Sequence, residues 1–236
     1  MVNWFKKKNE PDLKFIDTLG YPTKDFPIRL AKHEPLNCAD KQKESYGKMK
    51  FHMCPGMLDY AKMGYIVPAW DSIKIKANKA GVVAFRSRAK SEQSVDVVPM
   101  DEALIEGVFQ PDGIPLKAFK LDSPWRVTSS SEVSALIIPA FYHSKFLDDI
   151  YVVPGVVDYK SFNVMNFIFS VKRECELTIN AGDPLLHVIP FHNKEISATF
   201  GTGTVEDASA SPLYYINKHW YRKKDSIKKS YTIEKS

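Results

Sequence analysis

Residues 151–191 read YVVPGVVDYKSFNVMNFIFSVKRECELTINAGDPLLHVIPF, and this stretch decides the fold class. Four apolar runs, at 151–153, 164–171, 177–179 and 185–189, are separated by a Pro-Gly step, a charged segment at 172–176 and an Asn-Ala-Gly-Asp-Pro turn. Runs this short, rich in Val, Ile and Phe and bounded by Gly, Pro and Asn, predict strands rather than helices.

Working outward, the β signal is continuous from Ile114, with strands expected at 116–121, 125–128 and 133–139, and a last one at 196–200. Such runs at intervals of roughly 8–12 residues with short turns are the pattern of a sandwich or a small barrel. Further upstream, 66–70, 72–77 and 81–88 read as strands, the last two joined by a hairpin turn at 78–80. Ile73 and Ile75 alternate with Lys74 and Lys76, so that one face is buried and the other wet. Residues 95–98 suggest another strand, and 101–107 a helical turn closed by Gly107. CPGMLDYAKMGY, at 54–65, predicts a two-turn helix with Pro55 in its first turn and Gly64 as its stop.

Residues 1–50 carry little periodicity. They read as an extended arm over the core, anchored by Trp4, Phe5, Phe15, Ile16, Leu19 and Phe26. At the other end Ser211-Pro212 is a helix start, followed by Leu213, Ile216 and Trp220 on one stripe. From Leu213 onward seven Lys/Arg stand against two acids, a balance equal to the +5 of the whole chain. The basic character is therefore local to the tail. The expected organisation is an extended N-terminal arm (1–50), a mainly β core (51–204) built as a sandwich or a β-clip/jelly-roll-like barrel, and a basic amphipathic C-terminal helix and tail (205–236).

Composition narrows the class further. An apolar fraction of 44% with 12% aromatics is that of a folded chain and excludes wholesale disorder. The 15 prolines outnumber the 11 glycines, which favours a loop-rich β protein over a helical bundle. Cys38, Cys54 and Cys175 lack CxxC spacing and fit three free thiols in a reducing compartment. No apolar run approaches the roughly 20 residues of a membrane span, and MVNWFKKKNEP lacks the apolar core of a secretory signal. The expectation is a soluble intracellular protein that makes no membrane contact.

Two resemblances rest on particular motifs. PGVVDY at 154–159, AGDPLLHVIPF at 181–191 and ATFGTGT at 198–204 resemble the dUTPase and dCTP-deaminase superfamily. The resemblance implies a β-clip fold, with Asp158 as the turn aspartate that serves the sugar and the attacking water. Gly182-Asp183 with 185–189 would match the family's following strand, and Gly201-Thr202-Gly203 its tail. The chain departs from that pattern in several places. Ser161 stands where the sugar-stacking tyrosine belongs. Glu132 follows 128–131 at the phosphate motif, where it would repel a triphosphate. Pro184 and His187 replace the strand's Arg and Gln. The second resemblance spans roughly 50–195 through CPGMLDYAKMGYIVPAW, SPWRVTSSSEVSALIIPAFY, VVPGVVDY and AGDPLLHVIPF. It looks like an uncharacterised family of proteins from tailed phages of marine bacteria and cyanobacteria, which implies viral origin and no transferable activity.

Other constellations are sparser. His187 and His192 flank the last core strand, with His143, Asp148 and Asp149 upstream. The five-residue offset between the first two histidines puts them on opposite faces of a strand, so a shared metal site would need a bend at Pro190. HSKFLDD at 143–149 lacks the spacing of an Fe(II)/2-oxoglutarate oxygenase. Cys54, at a helix start, is the thiol best placed for reactivity. Trp220, Tyr221, Arg222, Lys223 and Lys224 interleave aromatic and basic groups suited to stacking on bases or docking on an acidic surface.

The leading expectation is a non-enzymatic phage protein, a virion structural or assembly component that contacts other phage proteins in an oligomeric assembly. It would reside in the host cytoplasm during infection or in the virion, with no cofactor and no metal. The alternatives are a dUTPase-like nucleotide-binding or nucleotide-hydrolysing protein using Asp158, and a host-directed regulator that binds nucleic acid or RNA polymerase through the basic tail.

Overall fold

The computed structural model describes residues 13–20, 22–37, 55–86, 97–129 and 133–193. All of them belong to one unit that ends at Asn193. In chain order its elements are β1 (Leu13–Asp17), α1 (Pro22–Asp25), β2 (Arg29–Leu30), α2 (Pro55–Lys62), β3 (Tyr65–Pro68), β4 (Ile73–Asn78), β5 (Gly81–Arg86) and β6 (Val97–Met100). There follow β7 (Ala118–Leu121), β8 (Trp125–Ser129), β9 (Val133–Pro139), β10 (Ile150–Val152), β11 (Gly155–Asp158), β12 (Phe167–Val171), β13 (Cys175–Ile179) and β14 (Pro184–His192). Single 3-10 turns occupy Ala31–His33 and Glu102–Leu104.

The strands form antiparallel sheets ordered β11-β9-β14-β3-β2, β10-β12-β7-β6, β13-β4-β5 and β1-β8. The protein is mainly β and sandwich-like, and among the described residues no sheet closes into a barrel. The sheets enclose one apolar core. Val67, Ile137 and Val188 enter it from the five-stranded sheet, and Ile73 and Ile75 from the three-stranded one. Phe119, Phe167 and Phe169 enter from the four-stranded sheet, with ring centroids 5.5 and 4.9 Å apart along the stack. Burying each such side chain contributes about 1.5–3 kcal/mol, which outweighs any single polar contact at the surface.

Local sequence explains much of this. In β4 Ile73, Ile75 and Ala77 are buried while Lys74, Lys76 and Asn78 are exposed, the period-2 pattern of a sheet with one wet face. The Asn78 side chain closes the β4–β5 hairpin by accepting hydrogen bonds from the amides of Ala80 and Gly81. The expected helix at 54–65 appears as α2, and the chain leaves it through Gly64 in the left-handed region, with φ +64°.

Other elements differ from the sequence reading. The described part of the arm, 13–20 and 22–37, contributes two strands to the sheets: β1 pairs with β8 and β2 with β3. Asp17 ends β1 and accepts the amides of Leu19, Gly20 and Thr23, a side-chain nest that starts α1. Of the expected anchors, Phe15 packs against the core while Ile16, its neighbour on the other face, is exposed. The Gly-Val-Val-Asp of 155–158, expected as a turn, is instead strand β11, paired with β9 from Gly155↔Ile137 to Asp158↔Ser134. The strand expected at 196–200 and the C-terminal helix lie outside the described residues.

Candidate functional site

The outer face of the five-stranded sheet carries the densest group of buried polar side chains. In β14, Val188 and Leu186 face the main core, so His187 between them must point the other way. It sits level with Ile138 of β9 and Ile66 of β3 and is fully buried. Helix α2 lies over this face with the buried Ala61 on it, and Ile66, Ala31 and Ala140 form a small second apolar cluster.

Several carbonyls at and just beyond the C-terminal end of α2 find partners in the surrounding chain. The Tyr60 carbonyl accepts the Met63 amide, and the Gly64 carbonyl accepts the Ala31 amide. Histidines meet two more. His187 Nε2 lies 2.5 Å from the Met63 carbonyl oxygen, and His143 Nε2 lies 3.1 Å from that of Ala61. The second ring nitrogen of His143, Nδ1, is 2.9 Å from the carbonyl oxygen of Pro35. His143 is carried on the turn after β9, where its amide and that of Ser144 bond the Ala140 carbonyl.

The two imidazole centroids are 6.1 Å apart, nearly perpendicular. Tyr60 packs edge-on against His187 at 5.2 Å and against Tyr142 at 5.6 Å. Burial lowers the His187 pKa below the ordinary histidine value; the bond to Met63 opposes that shift, and the charge of His143 adds to it. Burial, with Tyr142 beside it, pushes the Tyr60 hydroxyl up to about 12. Tyr60 Oη and His187 Nδ1 are both buried without a hydrogen-bond partner in the protein.

Beside this cluster is a cavity of about 190 Å³ lined by Asn37, Phe141, Tyr142, Ser144, Lys145, Leu147 and Asp148. Asn37 shapes it by donating to the Ser144 carbonyl, and Ser144 in turn donates to the carbonyl of Pro184. A second hollow, about 180 Å³, lies on the wet face of the β13-β4-β5 sheet, where Lys76 and Glu176 pair at 2.9 Å.

The sequence-predicted site residues fall in different places. Asp158 ends β11, and its carboxylate accepts the Lys160 amide at 3.0 Å and the Ser161 hydroxyl at 2.9 Å. Its carbonyl accepts the amides of Ser161 and Phe162. The aspartate thus closes the turn that follows it and lines neither of the two cavities. His187 and His192 lie on one uninterrupted strand, with Pro190 in register with Ala135, so no bend brings the two rings together. Asp149 is held by Arg173 at 2.8 Å. Gly182-Asp183 forms a turn ahead of β14, where Asp183 accepts the Asn180 amide. Cys175 is half-buried in β13 with its pKa raised by burial, reinforced by Asp149 and opposed by Arg173. Cys54, Glu132, Gly201-Thr202-Gly203 and the basic group Trp220, Tyr221, Arg222, Lys223 and Lys224 lie outside the described residues. Among the described residues no group of three or more His, Cys, Asp or Glu is placed to hold a metal ion. No described helix is long and apolar enough to cross a membrane.

Sequence reading singles out His143 and His187 as candidate metal ligands and misses Tyr60 as their neighbour. Their meeting depends on a helix, a turn and a strand some 45 to 125 residues apart, and no local spacing encodes it. No protein-family model matches the chain, and no curated protein is significantly similar to it.

Proposed function

We propose that the protein is a non-enzymatic phage protein, a virion structural or assembly component that works through contact with other phage proteins. The observation that carries this reading is the outer edge of β11. Gly155-Val156-Val157 contains neither charge nor proline, no described strand pairs with its far side, and Val156 is 63% exposed. Phe162, on the turn that follows, is also exposed. An open strand edge offers a row of N–H and C=O groups to a partner strand, and proteins ordinarily guard such edges with charge or proline. β13 carries Glu176 on its edge and β6 carries Pro99; β11 carries no such guard before Asp158. The resemblance of roughly 50–195 to proteins of tailed phages supplies the viral setting.

Mass spectrometry of purified particles of the phage that encodes the chain tests the reading. The expected result is the chain at stoichiometric abundance in particles or assembly intermediates, lost on Val156→Lys. Its absence from both would overturn the reading. A thermal shift with dUTP or dCTP and magnesium would favour the nucleotide-binding alternative.

A further inference from the structure

The two buried histidines have different hydrogen-bond surroundings. A neutral imidazole has one N–H donor, yet both nitrogens of His143 face carbonyl oxygens, at 2.9 and 3.1 Å. Only the doubly protonated ring can donate to both. His187 meets one carbonyl, and its Nδ1 is buried with no partner. One N–H is all its surroundings can use, so a second proton there would be a buried, unpaired charge. That charge would also lie against His143, with the ring centroids 6.1 Å apart.

From this geometry we infer that His143 and His187 form an acid-released latch, which holds the C-terminus of α2 on the sheet while His187 is neutral and frees it when His187 is protonated. The latch is a property of the fold alone and is independent of the proposed assembly role. Among the described residues, the groups facing it come from several elements. Helix α2 contributes Tyr60 and the Ala61 carbonyl, and Met63, just after the helix, contributes its carbonyl; the turn after β9 contributes Tyr142; the chain after β2 contributes the Pro35 carbonyl. The cross-strand neighbours of His187 on β3 and β9 are Ile66 and Ile138, both apolar. The causes that shift His187 are burial, the Met63 carbonyl and His143, with no carboxylate among them.

His187 is depressed below 6.5 in the folded protein, so the released state binds the proton more tightly. The docked state is therefore fully favoured above about pH 6.5 and loses ground as pH falls below it, by at most about tenfold per pH unit. Release would uncover Ile66, Ala31 and Ala140, with Gly64 as the pivot.

Hydrogen exchange of the full chain at about pH 7.5 and about pH 5.5, corrected for intrinsic rates, reads the latch directly. Protection of 57–63 is expected to fall at the lower pH, by at most about tenfold, while β12 keeps its protection. His187→Gln retains an N–H for Met63 but cannot gain a proton, and its response should be lost. An unchanged wild-type 57–63, an equal loss in β12, or a full response in the variant would each overturn the inference. Should the variant not fold, NMR titration of the wild-type His187 ring decides: a midpoint below 6.5 supports the latch, and one at or above 6.5 overturns it.

Discussion

The two faces of the five-stranded sheet are built from the same strands and held by different forces. On the inner face Val67, Ile137, Leu186 and Val188 meet the other sheets in a dry core. On the outer face, shifted by one residue, His187, Ile66 and Ile138 lie under or beside α2, and the helix is tied down by imidazole–carbonyl hydrogen bonds. Apolar burial is indifferent to pH, whereas a buried imidazole responds within the physiological range. One register thus yields a permanent contact on one side and a conditional one on the other.

The contrast between the faces is tested most severely in the core. Phe169→Ala, in the stacked row of Phe119, Phe167 and Phe169, should cost about 3–5 kcal/mol in chemical denaturation. That loss should be the same at neutral and mildly acid pH; a strongly pH-dependent loss would mean that the inner face is not the permanent one. Next comes Gly64→Ala. Gly64 has φ +64°, and an added Cβ would run into the Val188 carbonyl oxygen on the facing strand. Left-handed strain and overpacking together should cost about 2–4 kcal/mol, measured by the same titration.

A smaller effect belongs to the outer face. Because His187 is depressed in the folded state, wild-type stability should fall as pH drops below about 6.5, with a slope from this group of at most about 1.4 kcal/mol per pH unit. His187→Gln should remove that part of the slope and leave the behaviour above about pH 7 nearly unchanged, as read from denaturation midpoints across pH. The smallest change in stability is expected at the edge. Val156→Lys, at a 63% exposed position, should alter stability by less than about 0.5 kcal/mol while abolishing the strand-edge association, followed by light scattering.

Features set by neighbours in the chain are legible from the residues alone. The alternation of Ile and Lys in β4, the Asn78 hairpin, and the Pro55-to-Gly64 helix each follow from a few consecutive residues. Features set by distant partners are not. Residues 155–158 look like a turn because of Pro154-Gly155 and become β11 only by pairing with β9. β1 is a five-residue segment with two charges, and it gains strand structure by lying against β8. Asp158 has the sequence surroundings of a catalytic turn, but its carboxylate is occupied within its own loop.

Residue order alone dictates that this chain makes strands, where most of them lie, and which side of each is apolar. Those properties come from side-chain period and backbone preference, which act over a few residues. Tertiary packing dictates which strand edge no described strand pairs with and that His143 and His187 converge on the end of α2. Convergence of that kind joins segments far apart in the chain, where the loss of chain entropy is offset by the burial of a whole sheet face rather than by any local signal.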